Sequence, residues 1–291
     1  MICDNGANIL FISVKSMSQT TNLTNETFWD DFWRSVTLPA LIDERIQWQS
    51  ALAKTFRKHL PADPSLKLLE IGCAPGRWLV WFRKNLGYQV AGCDNSPRGI
   101  DITRKNLESN GMKTELYAED LQRGSLPREA FDIVLSLGVI EHFKDPMEIV
   151  MRHLELLKPG GTLVLEVPNM AGRINHWLLR KSRMNELLTH HNLDVMRQDF
   201  FLNVAEKFNL QIKLLDYVGG FDPGMVVHNH SQKSLWGRPM ILYFLGLLEK
   251  LFRSISFLPR IFINYNDKNY SNMLLAIMVK PRKATNLKYE S

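Results

Sequence analysis

Hydrophobic positions along the first half of the chain change repeatedly from a strand-like period to a helix-like one. Leu66–Ile71 (LKLLEI) is a short apolar run bounded by Pro64 and Gly72, which has the length and punctuation of a buried strand. A helical pattern follows from Arg77 to Leu86, and Gln89–Cys93 is a second short run ending at Asp94. Ser96–Asn110 reads as a helix, with Pro97 in the first turn and Gly111 just past the end. Thr114–Tyr117, Phe131–Leu137 and Thr162–Val167 are the third, fourth and fifth strand-like runs. Pro146–Leu157 predicts a helix between the last two, stopped by a turn at Lys158-Pro159-Gly160-Gly161. This alternation predicts an α/β fold with a parallel sheet and helices on both faces. Nearly unbroken apolar strands such as Ile133–Leu137 fit a sheet covered on both sides.

Past Asn169 the pattern loosens. Residues 171–208 look helical and polar, with a basic group at Arg180, Lys181 and Arg183. Leu210–Tyr217 predicts a sixth strand, residues 218–235 a Gly/Pro/His-rich loop, and Asn272–Val279 a last strand. Between these, Ile241, Phe244, Leu245, Leu248, Leu251, Phe252 and Ile255 recur at helical spacing, with Glu249, Lys250 and Arg253 mostly opposite. Pro239–Ile263 therefore holds an amphipathic helix, whose longest uncharged run, Pro239–Leu248, is half a membrane span. Two readings of it stay open: a helix laid against the core, or a surface making weak contact with a membrane or an oily substrate.

Composition narrows the class. With 291 residues, 45% of them hydrophobic, the chain is close to the soluble globular average, which excludes collagen, coiled coil and wholesale disorder. A single domain of this size buries roughly 75% of its unfolded surface. Three cysteines (positions 3, 73 and 93) cannot all pair and show no metal-ligand spacing, so a reducing cytoplasmic compartment and no disulfide framework are expected. The first residues, Met1–Asn5, are acidic where a signal peptide would be basic, and the apolar stretch Ile9–Val14 is too short to span a membrane. Residues 1–26 are expected to be a disordered leader, with Met17 an alternative start; 27–285 a single domain with insertions at about 170–208 and 218–270; and 286–291 a tail. The net charge of +6 is uneven, because residues 231–291 hold ten Lys/Arg and three Asp/Glu. That basicity is either a solvated face or an attractor of nucleic acid or anionic lipid.

The chemistry concentrates in Leu69-Glu70-Ile71-Gly72-Cys73-Ala74-Pro75-Gly76-Arg77, a strand, a Gly-rich turn and a helix start. Such a turn lets backbone approach a ligand closely, beyond the carboxyl ends of the strands. A dinucleotide fingerprint would require glycine or alanine where Arg77 stands, and no Gly-x-x-x-x-Gly-Lys-Ser/Thr phosphate loop occurs.

The segment Leu68-Leu69-Glu70-Ile71-Gly72-Cys73-Ala74-Pro75-Gly76 resembles the first motif of the class I S-adenosylmethionine-dependent methyltransferases, and further matches follow in order. They are Asp94, 22 residues after Gly72; Glu119-Asp120-Leu121 after the third strand; Phe131–Phe143 across the fourth; and Leu157–Val164 into the fifth. The resemblance spans about residues 40–170. It implies a Rossmann-like sheet of seven mostly parallel strands, the last antiparallel, with helices on both faces. The cofactor it implies is S-adenosylmethionine, contacted by Glu70, Gly72, Cys73, Ala74, Gly76, Asp94, Asn95, Glu119, Asp120, Leu121, Leu137 and Gly138. Glu70 suits a cationic ligand, Asp94 the ribose hydroxyls, and Glu119 and Asp120 the adenine amino group.

A methyl transfer to a small-molecule acceptor is expected, at the oxygen of a sugar, a quinone-like ring or a secondary metabolite. His142, after the fourth strand, is the first candidate base; His228 and His230, in the loop after the sixth, are further candidates, and each has a purely structural or solvated alternative. Asn169 stands at the mouth of the fifth strand and is a candidate acceptor contact. Trp29 and Trp33 either form a lid or pack an N-terminal helix. No carboxylate cluster after the fourth strand suggests bound Mg²⁺, so metal independence is expected. Gly138-Val139-Ile140-Glu141 lacks the Asn/Asp-Pro-Pro-aromatic pattern of base methylation, so no nucleic-acid partner is expected. A non-catalytic or peripheral membrane protein of the same fold, and an RNA methyltransferase, remain the alternatives.

Overall fold

The structure is a computed structural model and describes residues 22–182, 184–222, 240–254 and 265–282. Its sheet contains β1 (Lys67–Ile71), β2 (Gln89–Asp94), β3 (Glu115–Ala118), β4 (Phe131–Leu137), β5 (Leu157–Pro168), β6 (Gln211–Phe221) and β7 (Ser271–Val279). They lie in the order β3-β2-β1-β4-β5-β7-β6. β1 to β5 pair in parallel, and β7 runs antiparallel to both of its neighbours. The seven strands and the single antiparallel one agree with the sequence-based expectation.

The helices are α1 (Glu26–Phe32), α2 (Gln47–His59), α3 (Arg77–Leu86), α4 (Pro97–Ser109), α5 (Pro146–Leu156), α6 (Arg173–Lys181), α7 (Asn185–Thr189), α8 (Gln198–Lys207) and α9 (Met240–Ser254). Side chains of consecutive strand residues point to opposite faces, and two cores result. Leu68, Val90, Ile133, Leu135 and Val164 meet Phe56 of α2, Leu79 and Phe82 of α3, and Leu107 of α4. Leu69, Ala91, Val134, Leu163 and Leu165 meet Ile149 and Leu154 of α5, Leu179 of α6, Phe201 of α8, and Leu242 and Leu245 of α9. Helices therefore cover both faces, which is why the strand sequences are apolar throughout.

Three expectations need correction. Lys158-Pro159-Gly160-Gly161, read as a turn, lies inside β5: Leu157 already pairs with Phe131, and after an irregularity the ladder resumes at Thr162 opposite Ile133. Lys280 closes the gap, its carbonyl accepting from Gly160 N–H (3.1 Å) and its own N–H donating to Gly161 (2.9 Å). Residues 218–221, read as loop, belong to β6. Gly219 and Gly220 have left-handed φ values of 93° and 56°, which a sequence pattern reads as a break. Gln47 of α2 holds them in the sheet by donating to the carbonyls of Gly219 (2.8 Å) and Phe221 (2.9 Å). Residues 22–25, placed in a leader, are ordered against the fourth-strand segment. Leu23 N–H donates to the His142 carbonyl (2.6 Å), Asn22 bridges Phe143, and the Asn25 side chain caps α1 at Phe28 N–H (2.8 Å).

Candidate active site

The carboxyl ends of β1, β2 and β4 open onto a cleft enclosing about 780 Å³ of empty space, part of it continuous with solvent. Gly72, Ala74, Asp94, Asn95, Glu119, Asp120, Leu121, Leu137 and Gly138 all line it, and so does His142. The matched motifs, scattered over the sequence, thus converge because each follows the end of a parallel strand.

Asp94 is the polar anchor. It is buried, and its two oxygens accept from the backbone N–H groups of Ser96 (2.9 Å) and Ala74 (3.1 Å). Burial raises its pKa to about 6, against the pull of those two N–H groups. A carboxylate offers about four lone-pair sites, so two remain for the hydroxyls of a ligand. Glu119 is braced by Ser125 N–H (2.8 Å) and Asp120 by Gln122 N–H (3.0 Å). Gly72 has a φ of 69°, and a Cβ there would lie 2.6 Å from Val139 Cγ2. The turn thus takes a shape that only glycine adopts freely.

Three of the candidate cofactor residues stand behind the cleft instead of lining it. Glu70 is wholly buried under the turn, one of its oxygens has no hydrogen-bond partner, and burial holds its pKa well above the usual range. It does not touch the cleft, so direct attraction of a cation by Glu70 is replaced by an indirect structural role near Arg77. Cys73 is buried against Gly92, where a Cβ would sit 2.7 Å from its sulfur, and Gly76 begins α3 with a φ of 84°. Asn169 is not an acceptor contact either. Its amide donates to the carbonyls of Lys268 (3.0 Å) and Ser271 (2.9 Å) and its oxygen accepts from Gly172 N–H (3.0 Å). It is a bracket between β5 and the segment entering β7. His228 and His230 lie outside the described residues.

The other side of the cleft is aromatic. Trp29, Trp33, His142 and Phe143 line it together with Asn22 and Thr24. Trp29 stacks on Trp33 (6.3 Å between centroids), meets His142 edge-on (4.9 Å), and donates its indole N–H to Thr24 Oγ1 (3.1 Å). Asp30 of α1 accepts from Ser96 Oγ at the start of α4, which fixes the helix over the cleft. Neither tryptophan is buried and no residue of α1 is, so the helix does not pack into the core; the two rings pack on each other along the cleft wall.

His142 Nδ1–H donates to the carbonyl of His190 (2.9 Å), so Nε2 is the acceptor nitrogen of the neutral ring. Burial lowers its pKa to about 3. Nε2 lies 3.9 Å from Glu141 Oε1. His191 Nδ1–H likewise donates to Leu187 (2.6 Å), and donor atoms of Glu141, His142 and His191 all fall within 4.8 Å of one another. This trio could hold a cation. Sequence reasoning missed His191, which arrives from the insertion after β5, and it missed Cys93, Ile71, Val139 and Phe143, whose cleft positions follow from their places at strand ends.

The donor set fits S-adenosylmethionine better than a phosphorylated nucleotide. Asp94, Glu119 and Asp120 line the cleft, and among its described lining residues there is no Lys or Arg. That charge balance attracts a sulfonium and repels a pyrophosphate.

The comparisons agree with this reading. A methyltransferase-domain family matches residues 43–215. A ubiquinone biosynthesis O-methyltransferase of Cereibacter sphaeroides (strain ATCC 17025 / ATH 2.4.3) is 39% identical over 124 residues, 40% of this chain and 49% of that protein. One from Bradyrhizobium sp. (strain ORS 278) is 32% identical over 50% of this chain and 58% of that protein. The chain thus spans about half the length of the curated relatives it matches. Among solved structures, geranyl diphosphate C-methyltransferase of Streptomyces coelicolor A3(2), in complex with Mg²⁺, geranyl diphosphate and S-adenosyl-L-homocysteine, superposes with a TM-score of 0.52 at 15% identity. It covers 79% of this chain and 78% of that one. The [4+2]-cyclase SpnF superposes at 0.55 with 15% identity, covering 83% and 86%. At such identities the likeness concerns the fold alone. The motif order, the acidic cleft and the family match over more than half the chain lead to one assignment: this protein belongs to the class I S-adenosylmethionine-dependent methyltransferases.

Proposed function

We propose that the protein transfers a methyl group from S-adenosylmethionine to a hydroxyl oxygen of a small, flat, quinol-like acceptor. The observation that carries this reading is the His142 imidazole on the cleft wall, with Nδ1 committed to His190 and Nε2 left as an acceptor. The fold does not choose the reaction, since a protein described as a [4+2]-cyclase shares it. The names of the relatives point to oxygen and to a quinone precursor.

The methyl donor supplies an electrophilic carbon on a sulfonium, so the protein's work is alignment and proton removal. Asp94, Glu119 and Asp120 hold the nucleoside end, and Gly72 and Gly138 give backbone access. Trp29, Trp33 and Phe143 form planar walls against which an aromatic acceptor can lie. His142 Nε2 accepts the hydrogen bond of the acceptor hydroxyl and takes its proton as the O–C bond forms and the S–C bond breaks. A positioned base contributes about 10²–10⁴-fold when its pKa lies near the working pH; burial lowers that of His142 to about 3, so its contribution falls at the low end of that range and rests chiefly on orienting the hydroxyl. Turnover of labelled S-adenosylmethionine against a panel of catechols, sugars and prenylated phenols tests the proposal. Methyl ethers of catechols are the expected product; labelled product with the sugars alone sinks it.

A second reading is favoured by the cluster of Glu141, His142 and His191. Both imidazoles commit Nδ1 to a backbone carbonyl and keep Nε2 as the acceptor nitrogen, which is how ligating histidines are usually oriented, and one ligand atom of each of the three residues lies within 4.8 Å of the others. In that case Glu141, His142 and His191 would hold a divalent cation, which would supply Lewis-acid activation of the hydroxyl. Chelation separates the two readings, as argued below. An acceptor bearing a hydrocarbon tail would come from a lipid surface, and α9 is the element the sequence marks for such contact.

A further inference from the structure

We propose that α6 and α9 together form a docking face that lays the cleft-bearing edge of the sheet on an anionic lipid bilayer. The inference deepens the acceptor reading above, which it rests on for its purpose, but its physical basis is independent.

A helix that buries one face normally presents a polar one to water. α9 does not. Leu242 and Leu245 are buried in the core, while Met240 (85% exposed), Leu247 (68%), Phe244 (64%) and Tyr243 (61%) share the opposite stripe with Leu251. α6 repeats the arrangement. Asn175, Leu178 and Leu179 point inward, and Ile174 and Trp177 (53%) stand outward beside exposed Arg173, Arg180 and Lys181. Among the described residues, no helix is long and apolar enough to cross a membrane. The geometry is that of helices lying in the interface.

Topology puts both helices on one edge. β5 and β6 are each antiparallel to β7, so their carboxyl ends lie where those of β1 and β4 do. α6 leaves from the end of β5, and α9 sits in the connection between the end of β6 and the start of β7. α6 is tied at its base to the segment that enters β7 after the α9 connection: Ile174 N–H donates to the Asn269 carbonyl (2.9 Å) and the Asn175 amide to the Ser271 carbonyl (3.0 Å). A bilayer against this face would sit at the edge of the sheet where the cleft opens.

Charge selects the occupant. α6 carries three basic residues, Arg173, Arg180 and Lys181, and no acidic one, and all three are exposed. A symmetric pairing of two copies through this face would set like charges against each other. An anionic lipid surface complements them, and Trp and Tyr beside Lys and Arg are side chains suited to the headgroup level.

The test is flotation of the full chain with vesicles of phosphatidylcholine containing 30% phosphatidylglycerol, and with phosphatidylcholine alone. Wild type is expected to float with the anionic vesicles and to be released by high salt. Each of Arg180→Gln and Lys181→Gln should lower the partition coefficient by about fivefold, and the pair Phe244→Glu/Leu247→Glu by at least about tenfold. Calorimetric binding of S-adenosylhomocysteine should stay unchanged in all of them, which certifies folding. Wild type left unfloated, or floating that survives Phe244→Glu/Leu247→Glu, overturns the proposal. So does a dimer in sedimentation that this pair disperses without any flotation, since the face would then belong to a second copy. Failure of the acceptor reading looks different: vesicle binding persists while no phenolic hydroxyl, tailed or soluble, is methylated.

Discussion

The carboxylate of Asp94, at the end of β2, accepts a hydrogen bond from the backbone N–H of Ala74, in the turn after β1, at 3.1 Å. One buried acid thus sets the position of two loops that a ligand must touch together. Asp94→Asn keeps one acceptor oxygen and presents an NH₂ to either Ala74 or Ser96, each of which donates. Affinity for S-adenosylhomocysteine is expected to fall about tenfold to a hundredfold, from the loss of about 1.5–3 kcal/mol of charge-assisted bonding. Calorimetry reads this directly, and an unchanged dissociation constant would remove Asp94 from the site.

Gly72→Ala should weaken both stability and ligand binding. Its φ of 69° costs a Cβ-bearing residue roughly 1–2 kcal/mol. The added methyl also falls 2.6 Å from Val139 Cγ2, and Val139 lines the cleft. A melting temperature a few degrees lower is expected, with weaker binding of S-adenosylhomocysteine beyond what the fold alone loses.

His142→Gln is expected to lower turnover by about 10²-fold, the low end of general-base contributions because burial weakens this imidazole as a base, while binding of S-adenosylhomocysteine changes only a few-fold. Dialysis against EDTA should leave wild-type turnover unchanged if His142 is the base. Loss of activity in EDTA, restored by a divalent cation, assigns His142 to the metal-bound reading with Glu141 and His191.

Stability should fall with acidity partly through His153. This residue of α5 is buried, its Nδ1–H donates to the Ile149 carbonyl (2.7 Å), and burial lowers its pKa to about 4. The unfolded chain protonates it near pH 6.5 and the folded chain does not. Its contribution is therefore complete above pH 6.5 and is lost as pH falls toward 4, at about 1.4 kcal/mol per unit. Urea unfolding at pH 5 and pH 7 should show a drop about 2 kcal/mol larger in wild type than in His153→Leu. Equal drops would contradict the assignment.

Asn169→Asp removes the two N–H bonds to the Lys268 and Ser271 carbonyls and leaves a buried acid facing carbonyls. A loss of about 2–4 kcal/mol is expected, with the Michaelis constant for the acceptor unchanged in whatever protein stays folded. A selective rise in that constant would return Asn169 to the acceptor pocket.

Local periodicity and punctuation determined a great deal by themselves. The strands from Lys67 to Leu137 and the helix Arg77–Leu86 follow from which neighbours along the chain must be buried together, and that information is local. The Gly72 turn and Asp94 were legible because each sits at a strand end, and parallel strands bring their ends to one edge. Tertiary structure decided the rest. Glu70, in the centre of the matched motif, is buried beside Arg77 and Asp94 instead of lining the cleft. Gly219 and Gly220 stay in β6 because Gln47, from a helix far upstream, accepts their unusual conformation into the sheet. His191 meets His142, and Trp29 roofs it, only because the insertion after β5 and the N-terminal helix fold back over the same strand end. Such contacts depend on where the chain returns in space, and a one-dimensional pattern of apolar and polar residues records which side of an element is buried but not what it is buried against.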